Sequence, residues 1–450
     1  MQAFSKYIRT ISLSVLVLSG AIIPAFAAGP DTVQLDSLLL RLSRHHKMMG
    51  SLAVMEDGNL VYNRAVGLAQ PGTPATPESR YRIGSISKTF TAVIIMQLVE
   101  EGKLKLDTKL AKFYPKMPNA KLITVEMLLR HRSGLGSFTD RADYMLWNTL
   151  AKKPAELLDI MQKEKTVFAP DSSARYSNTN YVLLGWIAEK VTKKPMALLI
   201  EERISKKAGL THTTFGGALD TGKGDVQSFR RVKQEWTVFS PTDMSIPLGA
   251  GAVVSTSADV ARFYNALFSG KLLKAGTVAQ MTTLKDGFGM GLFRIPFGED
   301  FAWGHNGGID GFVSNAAFFP SKKMSIALLT NGLDDVPMND MLIGAISLSF
   351  GVPYTLPEFG KPAYVVEEAV LNRYAGLYSA PGFPLKLNIF VKEGKLFGQG
   401  TGQGAFPLTP LSDTEFEFVR AGIKVTFGMQ DGKPSLTILQ AGRATVMTRE

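Results

Sequence analysis

The 450-residue chain is 45% apolar and 20% charged, with 43 glycines and 23 prolines scattered as turn punctuation, which excludes a disordered, collagen-like or repeat architecture and leaves room for two or three packed domains. Cysteine is absent, removing disulfides, thiolate metal sites and cysteine nucleophiles, and the histidines show no metal-binding spacing, so no metal or other cofactor is expected. The formal charge of +11 raises nucleic acid as a partner, but acids are interspersed with the bases and no Lys/Arg block stands out, so a solvated basic surface is expected and no nucleic acid.

The chain opens with Lys6 and Arg9, an apolar run from Ile11 to Ile23 and the small-x-small sequence Ala25-Phe26-Ala27. Residues 1–27 read as a secretion signal cleaved near Ala27, which makes the mature protein secreted or periplasmic. The run is shorter than the roughly 20 residues that cross a bilayer, so no membrane span is expected after signal removal. Gly50 to Leu68 alternates apolar and polar residues about Glu56-Asp57-Gly58-Asn59, a hairpin pattern. The apolar stretch Thr89 to Val99, which follows Ser85-Ile86-Ser87-Lys88 and ends near Gly102, reads as a buried helix.

From about Leu110 to Phe215 helical segments are split by Pro and Gly, and Tyr181 to Val191 carries apolar residues at helical intervals. Gly249 to Thr256 reads as extended, Ala258 to Phe268 as a helix, Phe301 to Thr330 as glycine-broken strands and Asp340 to Phe350 as a closing apolar helix. Strands at both ends with helices between them predict an α+β domain over 28–350, an antiparallel sheet flanked by helices plus a helical subdomain. Three prolines mark residues 351–364 as a linker, and alternating apolar residues between glycine turns predict a small all-β barrel or sandwich over 365–450.

No G-x-S-x-G elbow, phosphate loop or dinucleotide fingerprint is present. What the chain does offer is Ser85 three residues before Lys88, a nucleophile and a candidate base on one helical face. The apolar helix after Lys88 would desolvate its amine and lower its pKa, and Ser85 at the helix start would expose backbone N–H groups to an oxyanion. Taken alone, S-x-x-K is also what a helix cap followed by a surface lysine looks like. Tyr176 and Asn178, two apart before a helix, suit a proton relay and an amide contact to substrate, or equally a staple and a cap. His305, among the glycines of Trp303-Gly304-His305-Asn306-Gly307-Gly308, could polarise a carbonyl or hold a carboxylate; a plain turn histidine is the alternative.

In this order the three segments resemble the serine β-lactamase and penicillin-binding-protein superfamily, specifically its class C-like branch of esterases, D-aminopeptidases and DD-peptidases. The likeness runs from about Met48 to Leu348 and includes Leu128 to Leu135, Gly251 to Thr256 and Thr330-Asn331-Gly332. It implies Ser85 as the acylated nucleophile, Lys88 and Tyr176 sharing base and acid work, and Asn178, His305, Asn306, Gly307 and Gly308 contacting substrate, with the N–H groups of Ser85 and Gly308 as oxyanion hole. His131 and Ser133 match a motif read as supporting the fold. Two departures stand out: His-Asn-Gly replaces the usual Lys-Thr-Gly, which makes efficient β-lactam hydrolysis doubtful, and Asp171 replaces a common glycine. The segment after the linker, with Tyr374-Ala375-Gly376-Leu377-Tyr378, resembles the lipocalin-like domain appended to some of these hydrolases. The expected function is hydrolysis of amide or ester bonds in small molecules or short peptides, some of them cell-wall derived, through a Ser85 acyl-enzyme; β-lactamase activity and non-catalytic binding of cell-wall peptides are the alternatives.

Overall fold

The computed structural model describes residues 29–450 except 335, 337, 360–363, 382–384, 402–404, 419–422 and 441–442; the expected secretion signal lies outside them. Helix α1 (Thr32–Arg44) leads into strands β1 (Met48–Glu56) and β2 (Asn59–Val66). The turn between them places Asp57 and Gly58 at φ 48° and 83°, the left-handed pair that matches the twist of a two-residue hairpin. The late strands β3 (Phe293–Phe297), β4 (Asp300–Ile309), β5 (Phe312–Phe319) and β6 (Met324–Leu333) complete the sheet. Its order is β3-β4-β5-β6-β1-β2, antiparallel throughout. Early and late chain thus join through β1 and β6, with Ala53 opposite Ala327.

Each face of the sheet carries its own core. On one face α1 and the helix Met338–Ser349 cover Leu52, Val54, Ile326 and Leu328. On the other, Ala53, Ala316 and Ala327 meet a larger core built around helix α2 (Ser87–Glu100). Helix α2 is buried from Ser87 through Leu98, so its polar side chains need internal partners. Thr89 Oγ1 donates to the Gly291 carbonyl and Thr91 Oγ1 to that of Gly249, each at 2.7 Å. Ser87 Oγ accepts from the backbone of Val253 at 3.0 Å, tying the helix to the extended segment Val253–Ser255. The helical side is completed by α3 (Val125–Leu129), the one-turn α4 (Tyr144–Trp147), α5 (Pro154–Lys163) and α6 (Asn178–Thr192). No described helix is long and apolar enough to cross a membrane.

Eight C-terminal strands between Gly376 and Arg449 form a closed barrel in which each strand pairs with its sequence neighbours and the last pairs with the first. The sequence pattern left barrel and sandwich open; the structure is the barrel. Tyr378, Leu387, Ile389, Phe416, Phe427 and Met447 are among the side chains of its core, and the short helix Glu368–Tyr374 stacks Tyr374 on Phe427 at 4.1 Å.

Candidate active site

A tight 3-10 turn over Gly84–Ile86 delivers the chain into α2. From Tyr81 to Leu98 every residue is buried except Ser85, so the first turn presents one hydroxyl to the outside. The turn packs against β4 at a separation only glycine allows. A Cβ on Gly307 would lie 2.2 Å from the Ile83 carbonyl oxygen and 2.9 Å from the Ser85 nitrogen. One on Gly84, whose φ is +51°, would lie 2.8 Å from the Gly308 nitrogen. The Ser85 turn and the Gly307-Gly308 backbone are therefore in close contact, the closeness that the expected oxyanion hole of the Ser85 and Gly308 N–H groups needs.

Lys88, one turn into the core, is 0% exposed. Its Nζ lies 2.9 Å from Ser85 Oγ, 2.7 Å from Asn178 Oδ1 and 2.8 Å from the Ala250 carbonyl oxygen. Burial without a carboxylate partner disfavours the ammonium and pushes its pKa well below the usual lysine range. All three partners are oxygens to which Nζ can donate; with the amine neutral, two N–H bonds go to the amide and carbonyl oxygens, which can only accept, and the lone pair faces the Ser85 O–H.

Helix α6 supplies the second segment, its first residue Asn178 reaching Lys88 through Oδ1 and Thr139 Oγ1 through Nδ2 at 2.8 Å. Ser177, not Asn178, occupies the cap position, which frees the Asn178 side chain for the cleft. Burial raises the phenol pKa of Tyr176 against the opposing effect of Ser85, keeping the proton on oxygen. Its ring centroid lies 4.9 Å from Lys88 Nζ. His131 supports this loop from behind. Its Nδ1 accepts from the Ser177 N–H at 3.1 Å, its carbonyl accepts from Arg175, and its ring lies 4.4 Å from that of Tyr176. Ser133 donates to Asn180 Oδ1 at 2.7 Å. Asp171 adopts φ 67°, a conformation glycine takes freely, and its carboxylate is held by Arg132 and Lys285.

In the third segment the placement of Asn306 differs from expectation. His305 is only 2% exposed, its Nδ1 is bonded to the Asn306 carbonyl, and burial is the largest cause that lowers its pKa, to about 3. A neutral imidazole offers a carboxylate a hydrogen bond but no charge. Asn306 is exposed and, by strand alternation, leaves β4 on the face opposite His305 and Gly307.

Ser85, Asn178 and Gly308 line a cleft of about 310 Å³ together with Phe138, Thr139, Tyr144, Met145, Asn148, Phe239, Thr242, Ile309 and Asp310; Lys88, Tyr176, His305, Asn306 and Gly307 stand outside that lining. Most of these wall residues were missed by sequence reasoning, because they come from short elements and loops far apart in the chain that carry no periodic signal. Asp310 was within reach, lying two residues beyond Gly308, as was Arg82, three before Ser85.

With this geometry in place, comparison with known proteins is direct. Residues 37–348 match the family model described as Beta-lactamase. A penicillin-binding protein of Bacillus subtilis (strain 168) is 27% identical over 444 residues, covering 91% of this chain and 96% of its own length. Among solved structures, the octameric penicillin-binding protein homologue from Pyrococcus abyssi has a TM-score of 0.65 at 24% identity, covering 93% of this chain and 100% of that one. The D-amino acid amidase from Ochrobactrum anthropi SV3, complexed with L-phenylalanine amide, has a TM-score of 0.60 at 25% identity, covering 70% of this chain and 96% of that one. Because the matched stretch holds the Ser85, Lys88, Tyr176 and Asn178 cluster and the sheet beside it, the chain belongs to the Beta-lactamase family.

Proposed function

We propose that the protein is an exported serine hydrolase that cleaves amide or ester bonds of small substrates through a Ser85 acyl-enzyme. The observation that carries this reading is the Lys88 amine, fully buried and 2.9 Å from the Ser85 hydroxyl. Neutral Lys88 takes the Ser85 proton as Oγ attacks the carbonyl carbon. The developing oxyanion lies between the Ser85 and Gly308 N–H groups. The protonated phenol of Tyr176 gives its proton to the departing nitrogen or oxygen, and the Lys88 ammonium restores the phenol. Water then attacks the acyl-enzyme ester, its proton passing to Lys88 and returning to Ser85 Oγ as the acid leaves. Kinship with a D-amino acid amidase and with the D-stereospecific amidohydrolase of a Streptomyces species, 28% identical with a TM-score of 0.59, supports amide hydrolysis.

The neutral His305 favours this reading over efficient β-lactam hydrolysis, since a β-lactam carboxylate meets no fixed cation there. A non-catalytic binder of cell-wall peptides would have no need of a desolvated amine on a serine hydroxyl. Export rests on the N-terminal sequence, and we assign 28–350 to the hydrolase and 365–450 to a lipocalin-like unit, a comparison supported by the eight strands and up-and-down order of the barrel. Nitrocefin, p-nitrophenyl esters and D- and L-aminoacyl anilides, assayed on the wild type and on Ser85→Ala, test the assignment. Turnover of an ester or anilide that disappears in Ser85→Ala supports it; turnover that survives the substitution, or its absence across the panel, refutes it.

A further inference from the structure

The cleft has two unlike sides. Tyr176, the proton donor to the leaving group, and His305 stand outside the cavity lining, whereas Asn178, Gly308 and Ile309 belong to it. If the leaving group departs past Tyr176, the cavity receives the acyl half of the substrate. That rests on the Ser85 hydrolase reading above.

The acyl side holds no unpaired charge. Phe138, Tyr144, Met145, Phe239 and Ile309 give it an apolar wall beside the neutral polar groups of Thr139, Asn148, Asn178 and Thr242, and among the described residues no Lys or Arg lines it. Its single carboxylate, Asp310, is already consumed. One oxygen accepts from the Thr242 N–H at 2.8 Å and from Thr242 Oγ1 at 2.6 Å, and the other pairs with Arg82 Nη1 at 3.0 Å, with the Asp310 side chain 0% exposed. An acyl group carrying a free ammonium finds no unpaired anion here, and one carrying a carboxylate finds no cation.

The apolar wall does not stop at the cavity. Met145 lines it and is still 62% exposed, and from the same turn and the loop after it Leu146 and Leu150 project 80% and 56% exposed. Large apolar side chains left exposed within five residues of one that lines a cleft are where its binding surface would extend. We propose that the cavity and this lip form one continuous subsite for an uncharged, extended apolar acyl group, a medium-chain fatty acyl or aryl-alkanoyl ester or amide. Its inner carbons lie against Phe138 and Phe239, and its outer carbons cover Met145, Leu146 and Leu150.

The test is a series of p-nitrophenyl esters from acetate to decanoate, with the D-phenylalanine p-nitroanilide alongside, assayed on the full-length enzyme. Burial of each methylene raises kcat/KM about two- to fourfold until the lip is covered. Leu146→Asn and Leu150→Asn, at exposed positions that do not disturb folding, lower the decanoate-to-acetate ratio of kcat/KM about tenfold when combined, mainly through KM. Acetate hydrolysis that depends on Ser85 but does not rise with chain length overturns the apolar subsite and leaves the hydrolase reading standing. So does a rising series that the two lip variants leave unchanged, or a preference for the aminoacyl anilide over the acyl esters. Absence of Ser85-dependent turnover of every ester and of the anilide overturns the hydrolase reading itself.

Discussion

Arg82 and Asp310 form an ion pair, 3.0 Å from Nη1 to Oδ2, with side chains 2% and 0% exposed. It ties the residue three before Ser85 to the residue two beyond Gly308, so the two segments of the proposed oxyanion hole share one anchor. Asp310 also holds Thr242, whose carbonyl accepts from Arg82 at 2.7 Å. Removing one member of a buried pair leaves the other charge uncompensated. Asp310→Ala is therefore expected to lose about 3–5 kcal/mol of stability in urea unfolding, whereas replacing both residues by apolar ones of similar volume costs less.

The contact between Gly307 and the Ser85 turn yields a second prediction. With a Cβ meeting the Ile83 carbonyl oxygen at 2.2 Å, Gly307→Ala must push β4 from the turn and pull the Gly308 N–H off its position. Loss of one such donor lowers kcat by about 100-fold or more. Gly276→Ala, where a Cβ meets nothing within 4 Å, serves as control and leaves turnover unchanged.

The depressed pKa values set a third expectation, in pH. The unfolded chain protonates its histidines near about pH 6.5, while native His305 stays neutral down to about 3. Between those values the unfolded state binds the extra proton, so stability falls as pH falls, by about 1.4 kcal/mol per pH unit for this one group. His131, lowered by burial as well, adds in the same direction. Urea midpoints measured from neutral to acid pH test this; His305→Gln flattens the slope by one proton.

Lys88 produces the same sign at higher pH. Its native pKa lies well below the usual lysine value, so below about pH 10.4 the unfolded state gains a proton that the native state refuses. The stability of Lys88→Met relative to wild type is expected to rise as pH falls through this window, by about 1.4 kcal/mol per unit. A pH-independent difference would mean that Lys88 is charged in the native protein.

Much of this was readable from local chemistry. The hairpin turn at Asp57-Gly58 needs positive φ at two adjacent residues, a demand those residue types announce. Ser85 and Lys88 meet because three residues make one turn, and the apolar run after them foretold the desolvation. What stayed hidden depends on distant packing. The neutrality of His305 follows from its burial, which no neighbour in sequence reveals. Phe138, Tyr144 and Phe239 converge on the cleft from single-turn helices and a loop about 100 residues apart, and Asn306 falls on the far strand face because the position of β4 in the sheet decides which side meets Ser85. In the C-terminal unit alternation marked the strands, but barrel closure lies in the pairing of the first strand with the last.

The central claim is that neutral Lys88 removes the Ser85 proton. It is tested most directly by the rate at which an activated phosphonate ester modifies Ser85, followed by intact mass across pH in the wild type and in Lys88→Met. The expected result is a single covalent adduct at Ser85 whose rate is already on its plateau at neutral pH and falls by about 100-fold or more in Lys88→Met. A rate that climbs only as pH approaches the ordinary lysine range, or labelling of Lys88→Met as fast as wild type, would contradict it.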